Sequence, residues 1–239
     1  MVRKPQRQSR PASEPATAPA PPPPPAGTVR EKIVAAFMAL LAEKRFDEIG
    51  FGDTAARAGV SLAECREEFG STLAILAAHM KQIDRKVLGH TDTDMAEEPP
   101  RERLFDVLMR RFEVMAPYKE AVRSLLRSAA RNPGLAFALN GLAVRSQTWM
   151  LTAADIDAAG PRGMIRAQGL AMLFGSTLRT WLDDEDEGLA RTMAALDRAL
   201  GRGQRWSGML DDLSRFSPRR FLRSRRRRRH EEDEEPAAA

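Results

Sequence analysis

The sequence predicts an all-α protein built from a small N-terminal helical module and a larger C-terminal helical bundle. Three observations predict this fold class. From Val29 onward apolar residues recur at intervals of three and four, the period of a helix that buries one face. No stretch alternates apolar and polar residues in the manner of a half-buried strand. Helix-ending residues, among them Thr28, Gly59, Ser61 and Pro117, stand at the edges of the periodic runs. With 239 residues, 43% hydrophobic and 30% charged, the chain has an ordinary globular composition and enough length to bury a core.

Residues 1–27 mix Pro, Ala, Arg and Ser without periodicity and include a run of prolines from Pro21 to Pro25. Such a segment buries too little apolar surface to offset its ordering entropy, so a disordered leader is expected. In the first helix Ile33, Phe37, Leu40 and Leu41 share a stripe, with Thr28 as N-cap and Glu31 completing a capping box. Arg45 to Gly52 interrupts the pattern. Asp53 is expected to cap a short helix through Ala58, Gly59 to turn the chain, and Ser61 to cap a helix from Leu62 to Phe69. A longer helix follows from about Thr72 to Leu88. The polar segment Gly89 to Pro100 then separates the module, residues 28–88, from a body over residues 101–203.

Five helices are expected in the body. Arg101 to Met115 carries Leu104, Leu108, Phe112 and Met115 on one stripe, and Pro117 opens the second helix at a first-turn position. The third runs from Gly134 to Ala159 and the fourth from Pro161 to Leu182. The fifth spans Glu185 to Leu200, with the acids Asp183 to Glu187 at its positive end. Residues 204–239 form a tail expected to be largely disordered. It holds an apolar stripe (Trp206, Met209, Leu210, Leu213, Phe216), the basic run Arg225 to Arg229 and the acids Glu231 to Glu235. Such a tail suits a solvated polyampholyte, a membrane-seeking amphipathic helix or a non-specific grip on DNA phosphates.

Composition narrows the function. The single cysteine, Cys65, excludes an internal disulfide and suits a reducing compartment. No apolar run reaches the roughly 18–20 residues of a membrane span, and no secretory signal is recognisable, so a cytoplasmic protein is expected. His79, His90 and His230 are scattered, Cys65 has no evident histidine partner, and no glycine loop suits a phosphate. Neither catalysis, a metal nor a cofactor is therefore expected. The net charge of +5 points to a polyanionic partner, yet residues 28–90 carry nine basic and nine acidic side chains and are neutral. The excess lies largely in the two tails.

The segment Phe46 to Leu76 carries the functional signal. Two short helices flank the turn Ala58 to Ser61. Small Ala55 lets them cross closely, Gly59 accepts a left-handed backbone, and Val60 plugs the angle between them. Ser61 caps the second helix and leaves its N-terminal face free for a major groove. This run resembles the DNA-binding domain of the TetR family of transcriptional regulators. The matching residues are Phe46, Ile49 and Phe51, then Ala55, Ala58, Gly59, Val60 and Ser61, then Phe69, and Ser71 with Ile75 and Leu76. The resemblance implies a ligand-responsive, homodimeric repressor whose partner is a double-stranded DNA operator. It implies DNA contacts from Thr28, Arg30, Thr54, Ser61, Leu62, Ala63, Cys65, Arg66 and Thr72. Two phosphate-binding residues usual in that family, a tyrosine and a lysine, stand here as Arg66 and Thr72. Glu64, Glu67 and Glu68 lie largely on one side of the recognition helix, leaving Ser61, Leu62, Cys65 and Arg66 as the expected groove-facing set.

In the body, Met109, Phe112, Met115, Trp149, Met150, Met172 and Phe174, together with Met164 and Trp181, form a set rich in Met and aromatic residues. They are the expected liners for an unknown small lipophilic effector, although simple core packing accounts for them as well. Small residues at Gly169, Ala171, Gly175 and Ser176 would let a dimer partner approach closely. Arg101 to Val122, with the runs at Thr148 and Thr192, is also similar to the TetR-fold lipid-binding accessory proteins of ubiquinone biosynthesis. That second resemblance implies loss of DNA binding, an isoprenoid ligand in the body and membrane contact through the tail.

Overall fold

In the computed structural model, which describes residues 27–89 and 97–215 (backbone only from 204), Thr28 closes the expected capping box. Its Oγ1 accepts the Glu31 N–H at 3.2 Å, and the Glu31 carboxylate accepts the Thr28 N–H at 3.0 Å. Helix α1 then runs over Val29–Glu43 and α2 over Phe51–Ala58, followed by α3 (Leu62–Glu68) and α4 (Thr72–Leu88). The body comprises α5 (Pro100–Met115), α6 (Lys119–Ala129), α7 (Pro133–Ala153), α8 (Gly160–Leu182) and α9 (Ala190–Arg215). Among the described residues there is no strand, and none of these helices is long and apolar enough to cross a membrane. The leader through Ala26, the segment 90–96 with His90, and all residues from Phe216 onward lie outside the described residues. So do the side chains of Trp206, Met209, Leu210 and Leu213.

Several helix ends depart from the sequence expectation; α6, for one, begins at Lys119, and Pro117 lies in the 3-10 turn Ala116–Tyr118 before it. Asp53 is not the cap of α2 but its third residue. Gly50 takes the cap position, and the Asp53 carboxylate reaches back to accept its N–H at 3.0 Å. Helix α7 stops at Ala153, because Asp155 turns left-handed (φ 54°) and Ile156 N–H bonds back to Leu151 O at 2.9 Å. The loop that follows crosses α8 so closely that a Cβ on Gly163 would lie 2.0 Å from the Ala158 carbonyl carbon. The acids Asp183 to Glu187 precede α9 instead of forming its first turn. Asp184, only 1% exposed, accepts the Thr192 N–H at 2.8 Å and the Thr192 hydroxyl at 2.7 Å, and so caps the helix from outside it. Burial pushes the Asp184 carboxyl up, but hydrogen bonds from Thr192 and Asp186 outweigh it and hold the group below the usual carboxylate range. Helix α9 also continues to Arg215, so its backbone stays helical into the segment expected to be largely disordered.

Two apolar cores result. The module core surrounds α1 and contains Ile33, Phe37, Leu41, Ile75 and Leu76; the body core contains Leu108, Phe112, Met150, Trp181 and Leu196. Helix α4 contributes to both, with Ile75 and Leu76 in the first and Ile83 and Val87 in the second. A single rigid helix therefore ties the module to the body. Helix α6 closes the seam from the other side. Ser124 Oγ donates to Lys44 O at 2.7 Å, satisfying a carbonyl at the end of α1, and Ser128 Oγ accepts the Phe46 N–H at 3.1 Å. Ser128→Ala would orphan that amide beneath the seam. It is expected to lower stability by about 1–3 kcal/mol in a urea melt, and an unchanged midpoint would show that water replaces the bond.

Candidate nucleic-acid interface

The turn between α2 and α3 has the geometry its sequence foretells. Gly59 sits at φ 65°, ψ 36°, and the next amide, Val60 N–H, bonds back to Ala55 O at 3.1 Å. Val60 packs against the module core, and Ser61 caps α3 by accepting the Glu64 N–H at 3.2 Å. The Glu64 carboxylate returns the contact, accepting the Ser61 N–H and hydroxyl, each at 2.7 Å. Those bonds hold the Glu64 carboxyl below its usual range and spend its charge on the cap.

Burial sorts the expected contact residues. Leu62 (58% exposed), Ala63 and Arg66 stand on the open face of α3, with Ser61 at its start. Arg66 has no hydrogen-bond or ion-pair partner among the described residues. Cys65 does not join them. It has no exposed surface and packs in the module core, one helical turn before Phe69, which is also buried. Thr54 is likewise fully buried, its hydroxyl donated to Gly50 O at 2.8 Å. Arg30 is engaged inside the module: its guanidinium donates to Glu68 O and Oε2, both at 3.1 Å, and lies 4.3 Å over the Phe69 ring. Thr28 is exposed but committed to its cap, and Thr72 is half-buried at the start of α4. The three glutamates also separate: Glu64 caps, Glu68 pairs with Arg30, and Glu67 alone shares the open face with Arg66.

Three further cations of the module are paired within it. Arg57 binds Glu43 at 2.7 Å, Arg45 binds Asp47 at 2.9 Å and Lys44 binds Asp53 at 3.4 Å. All these groups are solvent-exposed, and exposed pairs add little to stability, so a phosphate can take over such a cation at small cost.

The expected effector set divides as well. Met109, Phe112, Met150 and Phe174 meet in the body core, with Phe112 stacked on Phe174 at 4.6 Å and Met115 packed alongside. Trp149 and Met172 do not line the interior and are 55% and 69% exposed. Each stands about 100° around its helix from a buried neighbour, Met150 or Ala171, which takes the inward position. Sequence reasoning missed the polar atoms of that core. Gln147 Oε1, Trp181 Nε1 and Arg111 Nε are buried without a hydrogen-bond partner among the described residues. Gln147 was foreshadowed only by lying between apolar positions of α7.

A helix-turn-helix module joined through one long helix to an all-helical body defines the architecture. No family model matches the sequence, and no curated protein matches it. Solved structures do. The chain is similar to the TetR transcriptional regulator from Nitrosomonas europaea, with a TM-score of 0.59 and 21% identity, over 74% of this chain and 99% of that one. It is also similar to a TetR transcriptional regulator from Rhodococcus sp. RHA1, with a TM-score of 0.51 and 21% identity, over 73% and 95%. The fold is of the TetR type, all α.

Proposed function

We propose that the protein is a DNA-binding transcriptional regulator of the TetR type, acting as a homodimeric, ligand-responsive repressor. The observation that carries the reading is the open face of α3, where Leu62, Ala63 and an unpaired Arg66 project beyond the Gly59 turn. A helix presented in this way suits the major groove, and Arg66 suits a guanine edge or a phosphate. Dimerisation is supported by an exposed stripe on α8: Ile165, Gly169, Met172, Gly175 and Ser176, where a Cβ on either glycine would meet nothing within 4 Å. Ala171, expected in that stripe, is instead buried in the body. The unpartnered Gln147, Trp181 and Arg111 atoms support an effector with an apolar body and a hydrogen-bonding group, since buried polar atoms are seldom left unpaired.

A mobility-shift assay on DNA flanking the protein's own gene tests this. Arg66→Ala is expected to cost about 1–3 kcal/mol, roughly 5- to 150-fold in affinity, and Gly59→Pro to abolish sequence-specific binding. Absence of binding at low salt, or binding that survives both changes and disappears when residues 218–239 are deleted, would sink the reading.

The neutrality of residues 28–90 and the presence of Glu67 beside Arg66 favour one second reading, a lipid-binding accessory protein on the same fold. In that case an isoprenoid lipid should co-purify, and liposome flotation should depend on residues 206–229.

A further inference from the structure

Helices α1 and α4 enclose a cleft that neither reading above uses. On α1, Glu31, Val34, Ala35 and Met38 fall at i, i+3, i+4 and i+7; on α4, His79, Gln82, Arg85 and Lys86 form the facing wall. Tyr118, from the turn before α6, closes one end, and the space measures ≈ 360 Å³. That is near the lower limit of small-molecule pockets, about 300–1,000 Å³. Val34 and Met38 give it an apolar floor, being 2% and 4% exposed.

Four polar side chains of the cleft, those of His79, Gln82, Arg85 and Tyr118, have no hydrogen-bond partner among the described residues. His79 is only 6% exposed and meets the Tyr118 ring edge-on at 4.4 Å, yet neither ring nitrogen has a hydrogen-bond partner among the described residues. The same holds for the Gln82 amide, the Tyr118 hydroxyl and the Arg85 guanidinium. Arg85 and Lys86 supply two positive charges. The one carboxylate, Glu31, is turned to its capping bond with Thr28. An apolar floor, a positive rim and neutral donors together select an anion with a compact hydrophobic body.

We infer that this cleft binds a small monocarboxylate, aromatic or short aliphatic, with its carboxylate at Arg85 and Gln82 and its apolar part over Val34, Ala35 and Met38. Apart from Tyr118, which packs against both cores, the site shares no residue with the body core. Because α1 and α4 carry the recognition helix between them, an occupant biases how the module sits on the body.

Benzoate is the probe, with benzamide as its uncharged match and octanoate as the aliphatic arm. In the full chain, millimolar benzoate or octanoate should shift the imidazole NMR signals that His79→Phe identifies, and benzamide should not. Arg85→Gln, at an exposed position, should weaken binding about tenfold, and Ala35→Trp should fill the cleft and abolish the response. Equal shifts from benzoate and benzamide, unweakened binding in both variants, or no shift from either carboxylate would overturn the inference. The readout needs no DNA, so failure of the regulator reading in the mobility-shift assay leaves its outcome separately legible.

Discussion

Asp84→Ala is expected to remove about 3–5 kcal/mol of folding stability, the loss that follows when one member of a buried ion pair is deleted. Asp84 Oδ1 accepts from Arg111 Nη1 at 2.5 Å and from the Ser146 hydroxyl at 2.6 Å, and all three residues are buried. Arg111 is 4% exposed, has an unpartnered Nε and lies 5.4 Å from the centre of the Phe174 ring, so removing the carboxylate leaves a buried charge without its counter-ion. A typical domain holds only about 5–15 kcal/mol in reserve, so the variant should melt far earlier in urea than the parent. Replacing the pair together, Asp84→Leu with Arg111→Met, should recover most of the loss, because desolvation cost and attraction disappear together. A single variant within about 1 kcal/mol of the parent would show that the charge finds another partner. The position magnifies the effect. Asp84 lies on α4, the helix shared by both cores, so its loss loosens the module from the body along with the body itself.

The ends of α1 and α3, and the start of α4, were legible in the sequence because their caps are local. Thr28 with Glu31, and Ser61 with Glu64, act across three residues, a distance that sequence displays. The start of α9 was not, because its cap comes from Asp184, eight residues before the Thr192 amide it holds. The interface was half legible. Leu62, Ala63 and Arg66 could be placed outward from the turn, and Cys65 could have been placed inward, since it precedes the core residue Phe69 by four. Nothing local reveals that Arg30 is committed to Glu68, 38 residues away, or that Ser128 satisfies Phe46, 82 residues away. The α1–α4 cleft falls between these cases. Each of its walls is a plain helical stripe in the sequence, but only tertiary packing sets the two stripes against each other and makes His79 something other than a stray histidine.

That histidine makes stability depend on pH in a window of its own. Burial, reinforced by the charges of Lys86 and Arg111, lowers His79 from its ordinary 6.5 to about 4. Between those values the unfolded chain takes up a proton that the folded chain refuses, so stability is full above pH 6.5 and falls as pH drops toward 4. The slope approaches about 1.4 kcal/mol per pH unit, for a total of roughly 3 kcal/mol across the window. Asp184, held below its ordinary 3.8, loses its contribution only beyond the acidic end of that window. His79→Phe keeps an aromatic ring against Tyr118 and removes the titration. Denaturant melts at neutral pH and at pH about 4.5 should therefore show a steep loss in the parent and a shallow one in the variant, and parallel losses would place the proton elsewhere. A carboxylate seated at Arg85 would screen the cations and favour the imidazolium, so benzoate should flatten the parent's slope and leave the variant's unchanged.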